Sequence, residues 1–437
     1  MKKFAVSFVA LMMGVAGSSF AAVNDIKVSG SVDTHAVSRN LDLGSKGTVG
    51  GTEVKDAESF VGAVTKLGFD ADLTENVAAK IQLVNERYWG QAEDAGNTDL
   101  DINLSYVQFS KMFDMPLTAT LGRQNLVLGR GLILSNTGDG VGYGALGSSV
   151  APNLTPRNGL DGINLVYAAT DALSIDAFYF NAGENSLNVK DDQTHAGINA
   201  TYTFADETLV EGYAVHSRLN TDGNDTQSKG DYLTTYGARA QGLVGDSFLV
   251  FGEGAYQAGD GAAAPAGRRA AYMIDLGGEL RLNKEKNAKI GAEYQYTSGN
   301  KADSGDTNEG WNELLETYSW GETADYFVDG GNVQGIKLTG TYNIREDMTL
   351  SALYSYMAKV VNDGTTQLTG WNGNQYDMTN AVSDKDLGQG LDLAVNYAYT
   401  EDVNFGLVNS YFFPGQAFTN NNDETASSLR AYATVNF

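Results

Sequence analysis

Apolar and polar residues alternate at single-residue spacing along most of this chain. In Tyr272–Leu282 the even positions are Tyr272, Ile274, Leu276, Leu280 and Leu282, and the odd ones include Asp275, Glu279 and Arg281. A period of two is that of a β-strand with one dry and one wet face. The same pattern recurs in Glu58–Leu73, in Val77–Trp89 and in the last residues, where Leu429, Ala431, Ala433, Val435 and Phe437 oppose Ser428, Arg430, Tyr432, Thr434 and Asn436. Further strands are predicted near 25–39, 99–110, 117–128, 158–169, 172–182, 194–204, 207–219, 231–243, 246–257, 269–282, 287–298, 331–343, 348–360, 387–399, 402–413 and 424–437, about eighteen in all. Leu209–His216 and Phe248–Tyr256 break the rule. They set Glu211 or Glu253 beside apolar residues of the same parity, which a bulge or a shifted register would explain.

The connections alternate in length. Short ones include Thr170-Asp171, Ala205-Asp206, Val244-Gly245, Arg345-Glu346-Asp347 and Thr400-Glu401; long ones include Gly129–Arg157, Gly299–Gly330 and Val361–Asp386. No blade motif repeats at fixed period, which argues against a propeller. With no helices to cover so many dry faces, they are expected to meet lipid. The fold class is therefore all-β: a single transmembrane antiparallel β-barrel of about 18 strands. A soluble sandwich with an alternating edge strand is the competing reading of the last stretch.

The amino-terminus supplies an address. Lys2 and Lys3 precede the apolar run Phe4–Val15, too short to span a bilayer, and small residues follow around Ser19–Ala22. Residues 1–21 read as a cleaved signal peptide and 22–437 as the barrel, exported through the inner membrane. The chain contains 52 Gly, 23 Tyr, 18 Phe, 5 Pro and no Cys. Such a composition suits strands flanked by aromatic girdles and excludes disulfides. A net charge of −25 argues against nucleic acid and against direct adhesion to anionic lipid, while allowing divalent cations to bridge an acidic surface to lipopolysaccharide.

Three stretches resemble known proteins. The final strand, ending in Phe437, resembles the terminal strand of Gram-negative outer-membrane proteins, whose last Phe is read by the barrel-assembly machinery. Leu121-Gly122-Arg123-Gln124 through Gly131 resembles the Gly-Arg-Gln strand end of the alginate-export family of outer-membrane porins, and Trp311–Tyr326 resembles a second loop of that family. The loop departs from the family pattern at Glu316-Thr317-Tyr318, where a proline and a histidine are usual. The resemblance implies an eighteen-strand outer-membrane channel, and it suggests Arg123 as a lumen-wall residue although Leu121 and Val127 share its parity.

By strand parity the inward charges are Lys66, Asp70, Lys80, Glu86, Arg123, Arg239, Asp275, Glu279, Arg281, Lys289, Glu293, Lys337, Asp392 and Arg430. Rings of such charges set selectivity in pores. Their signs are mixed and loops Gln91–Asp101 and Ser304–Asp329 are acidic, so neutral solutes, zwitterions and cations are the expected cargo. Loop Gly129–Arg157 either folds inward as a constriction or lies on the surface. No catalysis, cofactor or metal is implied. Gly142–Gly147 matches G-x-G-x-x-G without the strand and helix a nucleotide site needs. His35, His195 and His216 sit on separate strands, and Asp222–Asp225 does not space like an EF-hand. The reading is a porin for passive diffusion of small hydrophilic solutes or ions. The alternatives are a specialised export or uptake channel for an oligosaccharide or polysaccharide, and a barrel enzyme or adhesin. The sequence leaves oligomeric state open.

Overall fold

The computed structural model describes residues 25–44, 57–90, 100–135, 159–183, 193–219, 232–260, 267–301, 306–315, 318–328, 330–362, 384–418 and 423–437, with short strands at 48–49, 52–53, 367–369 and 375–377. Eighteen strands run antiparallel, each bonded to its sequence neighbours. They are β1 (Asp25–Asn40), β2 (Ala57–Thr74), β3 (Val77–Tyr88), β4 (Asp101–Phe109), β5 (Leu117–Gln124) and β6 (Leu160–Ala168). Next come β7 (Leu173–Gly183), β8 (Gln193–Ala205), β9 (Thr208–Leu219), β10 (Tyr232–Val244), β11 (Phe248–Asp260) and β12 (Arg268–Asn283). The last six are β13 (Ala288–Thr297), β14 (Val333–Arg345), β15 (Met348–Lys359), β16 (Asp386–Ala398), β17 (Val403–Pro414) and β18 (Ala426–Asn436).

Pairing of β1 with both β2 and β18 closes the sheet. Closure matters because an open edge in hydrocarbon would leave backbone N–H and C=O groups without partners. At the seam Gly30 and Phe437 exchange backbone bonds of 2.8 and 3.0 Å.

Side chains alternate as the strands dictate. Ile274, Leu276, Leu280 and Leu282 are exposed on the outside, while Asp275 on the same strand is fully buried inside. Tyr236, Tyr256 and Tyr272 stand opposite one another on the outward face of β10–β12. Phe248 lies eight residues from Tyr256 on that same face, about 20 Å down a tilted strand. These aromatics bracket an apolar band of the height expected for an outer membrane, about 25 Å.

β5 stops at Gln124 and does not reach Leu128, because the chain turns inward there. No register shift interrupts β9 against β10 or β10 against β11, so of the two explanations for the parity of Glu211 and Glu253 a bulge is excluded.

Candidate functional site: a lumen narrowed by two inward loops

The apolar neighbours of Glu211 and Glu253 face inward because a loop covers them. Residues 125–135, between β5 and β6, carry Leu126, Leu128, Leu132, Ile133 and Leu134 onto an inner wall of Phe178, Phe180, Tyr213, Val215, Ala255 and Met273. A second connection, between β13 and β14, drives Trp320, Ala324, Tyr326, Phe327 and Val328 against Val333, Met357, Leu387 and Phe412. Phe327 stacks on Phe412 with centroids 4.8 Å apart. The two loops meet: the Ser135 amide donates to the Leu315 carbonyl at 2.6 Å, and the Leu315 amide donates to Ile133 at 3.2 Å.

Polar contacts hold both loops. Inward positions Glu211, Arg239, Glu253 and Asp275 face one another across four strands in one register row. Gly129 and Arg130 sit on that row. The Gly129 amide donates to Glu211 at 3.1 Å and its carbonyl accepts from Arg239 at 2.6 Å. The Arg130 amide donates to Glu253 at 2.8 Å, and its guanidinium reaches Asp275 at 2.9 Å and Glu293 at 3.0 Å. That guanidinium also lies 3.6 Å from the centroid of the Phe251 ring, a cation–π distance. In the second loop, Glu322 accepts from Arg430 at 2.7 Å, and its amide donates to Asp392 at 2.9 Å. Lys337 bonds the Ser319 carbonyl at 3.3 Å, lies 3.8 Å from the Tyr318 ring centroid and pairs with Glu293 at 3.5 Å. Arg39 donates to the Tyr326 hydroxyl at 3.0 Å. Burial pushes the pKa of that hydroxyl up to about 12, so it stays neutral and free to accept.

Six of the residues expected from strand parity thus touch the loops: Arg239, Asp275, Glu293, Lys337, Asp392 and Arg430. The remainder divide. Lys80 pairs with Asp70 at 3.0 Å, and Lys66 shares their inward face. Glu86 faces inward and is fully buried. Arg281 pairs with Glu207 and with Glu279, which also binds Lys289 at 3.5 Å near the short turns. Arg123 departs from the expectation. Its register partner is Asp161, which it binds at 3.0 Å, and it shares parity with Leu121 and Ile163 on the outward face. With no register shift along β5, the parity of Leu121 decides.

Sequence reasoning passed over Arg130, Glu322 and Arg39 as site residues. Arg130 lies in a connection between strands, where there is no periodicity to read. The two look-alike motifs, Gly142–Gly147 and Asp222–Asp225, lie outside the described residues. His35, His195 and His216 fall on β1, β8 and β9.

The model of a family described as alginate export matches residues 34–432. The chain belongs to the alginate-export family. No curated protein matches it. Among solved structures, this alginate-export barrel is similar to Pseudomonas aeruginosa OccK11 (OpdR) at 12% identity, covering 97% of this chain and 98% of that one with a TM-score of 0.58. It is similar to Acinetobacter baumannii OccAB1 at 14% identity, with 96% and 99% covered and a TM-score of 0.58. It is also similar to P. aeruginosa OccK2 (OpdF), solved with glucuronate, at 12% identity, with 95% and 98% covered and a TM-score of 0.57. At these identities the likeness is one of fold. The alginate-export barrel is a porin-like protein of the outer membrane, and it is not an enzyme.

Proposed function

We propose that the barrel is a water-filled diffusion channel for small hydrophilic solutes, narrowed by its two inward loops and favouring uncharged or zwitterionic cargo. The observation that carries this reading is the pairing of the inward charges. Arg130, Arg239, Arg281, Lys80, Lys337 and Arg430 each have a carboxylate within 3.5 Å. A wall of paired charges binds dipolar solutes at many points while presenting little net field to an ion. Reversal potential in a planar bilayer tests it: a permeability ratio near unity is expected, and marked anion preference overturns it.

A second reading has support of its own. Membership of the alginate-export family, the glucuronate found with OccK2 and an inward Lys66 with no ion-pair partner among the described residues favour a channel for carboxylated sugars. Blockade of the conductance by glucuronate but not glucose selects this reading over the first.

In the same proposal, residues 1–21 are a cleaved export signal, and Phe437 is the feature read by the assembly machinery. Residues lining the open lumen, Lys66 and Lys80 foremost, set selectivity. Sedimentation in detergent settles whether the protomer works alone.

A further inference from the structure

Inward Arg39, Arg130, Arg239, Arg281 and Arg430 have carboxylate partners, whereas outward Arg87, Arg218 and Arg268 have none among the described residues. Near the long loops, the outward positions of β3–β12 carry Arg87, Arg123, Arg218 and Arg268 against Asp161 and Asp260. In a chain with 54 acidic and 29 basic residues, that balance is inverted. Arg123 is neutralised by Asp161. Arg218 and Arg268 have no ion-pair partner among the described residues.

These two belong to one register row. Arg218 faces Tyr232, Tyr232 faces Asp260, and Asp260 faces Arg268 across β9–β12. The Asp260 carboxylate accepts from the Tyr232 hydroxyl at 2.8 Å. His216 is exposed beside them, bonded to Thr234 at 3.0 Å. Depth is fixed by the tyrosines. Tyr236, Tyr256 and Tyr272 form the parallel row four residues nearer the short turns, and all three are exposed outward. Aromatic girdles sit where hydrocarbon meets headgroups. Four residues of a strand tilted by about 40° rise roughly 10 Å, which puts the arginine row in the headgroup layer of the outer leaflet.

We propose that this outward face of β9–β12 binds a phosphorylated glycolipid of the outer leaflet. Arg218 and Arg268 take its phosphates, Tyr232 and Asp260 hydrogen-bond its sugar hydroxyls, and the tyrosine row packs along its acyl chains. Arginine suits this role because its fork of donors matches phosphate oxygens. The anion comes from a lipid rather than from solution, since the charged row and the apolar band are continuous on one face.

Native mass spectrometry of the detergent-purified protein with added lipid A tests the site. The wild type is expected to retain lipid A, and Arg218→Gln/Arg268→Gln to bind it roughly tenfold more weakly, the effect of losing about 1.4 kcal/mol. Dephosphorylated lipid A is expected to bind the wild type as weakly, and glucosamine phosphate without acyl chains not to compete. Equal retention by the double variant, equal binding of the dephosphorylated lipid, or effective competition by the soluble headgroup overturns the proposal. Bilayer conductance of the double variant is expected to be unchanged, which separates this site from the lumen and reports that the barrel is folded.

Discussion

The Arg130 guanidinium lies 2.9 Å from an Asp275 carboxylate that has no solvent exposure, joining the first inward loop to the middle of β12. Arg130 also holds Glu293, so its removal leaves Glu293 with Lys337 alone and strips Asp275 of the cation that pairs it. Breaking one half of a buried ion pair costs about 3–5 kcal/mol. Arg130→Gln is therefore expected to unlatch the loop, raise single-channel conductance and add rapid current noise, with the barrel still shifting on gels after heating. The double variant Arg130→Gln/Asp275→Asn is expected to regain part of the loss, since it removes the stranded charge. Additive effects of the two substitutions would remove Arg130 from the latch.

The second loop depends on Trp320, almost fully buried, whose ring occupies the space a side chain at Gly335 would need: a Cβ there would come within 2.7 Å of it. Trp320→Ala empties that space at a cost of about 3–5 kcal/mol. Conductance is expected to rise while the temperature at which the β-sheet circular dichroism collapses moves little, because the barrel's own pairing is untouched. An unchanged conductance would mean that this loop does not narrow the passage.

Selectivity is expected to respond to unpaired inward charge and not to paired charge. Lys66→Glu changes the wall by two charges beside Asp70, and is expected to raise cation over anion permeability roughly two- to fivefold at low salt, fading as salt screens it. Arg281→Gln, at a site already crowded with Glu207, Glu279 and Lys289, is expected to shift reversal potential less. The opposite ranking would assign the passage to the β12–β13 side.

Much of this barrel is legible in the chain because lipid and water impose opposite demands at single-residue spacing. Ile274–Leu282 sets large aliphatics at even positions against Asp275, Glu279 and Arg281 at odd ones, and the structure keeps that parity. Legibility fails where the lumen stops being wet. Tyr213, Val215 and Met273 face inward and are apolar because Leu128, Leu132 and Leu134 cover them, so the alternation around Glu211 and Glu253 dissolves with no bulge in the sheet. Those contacts join residues far apart in sequence, which no local pattern encodes. Arg123 misleads for the reverse reason: the family motif points it at the lumen, whereas the parity it shares with Leu121 puts it on the outward face.

Closure of the barrel rests on its smallest and its last residue. The Phe437 ring lies across Gly30, where a Cβ would come within 2.6 Å of it and 2.7 Å of the Lys66 carbonyl oxygen. Backbone bonds between the two residues persist whatever side chain stands at 437, so ring packing and register can be separated. Phe437→Ala is expected to slow membrane assembly several-fold, yet yield a barrel of ordinary conductance once refolded in detergent, since the ladder between β1 and β18 remains. Gly30→Leu evicts the ring and also presses on the β2 backbone, so it is expected to lower the folded fraction in detergent as well as in cells, by an overpacking cost of about 1–3 kcal/mol or more. Equal behaviour of the two variants in detergent would show that the seam is held by the ladder alone. The ring at 437 would then matter for delivery and not for the finished structure.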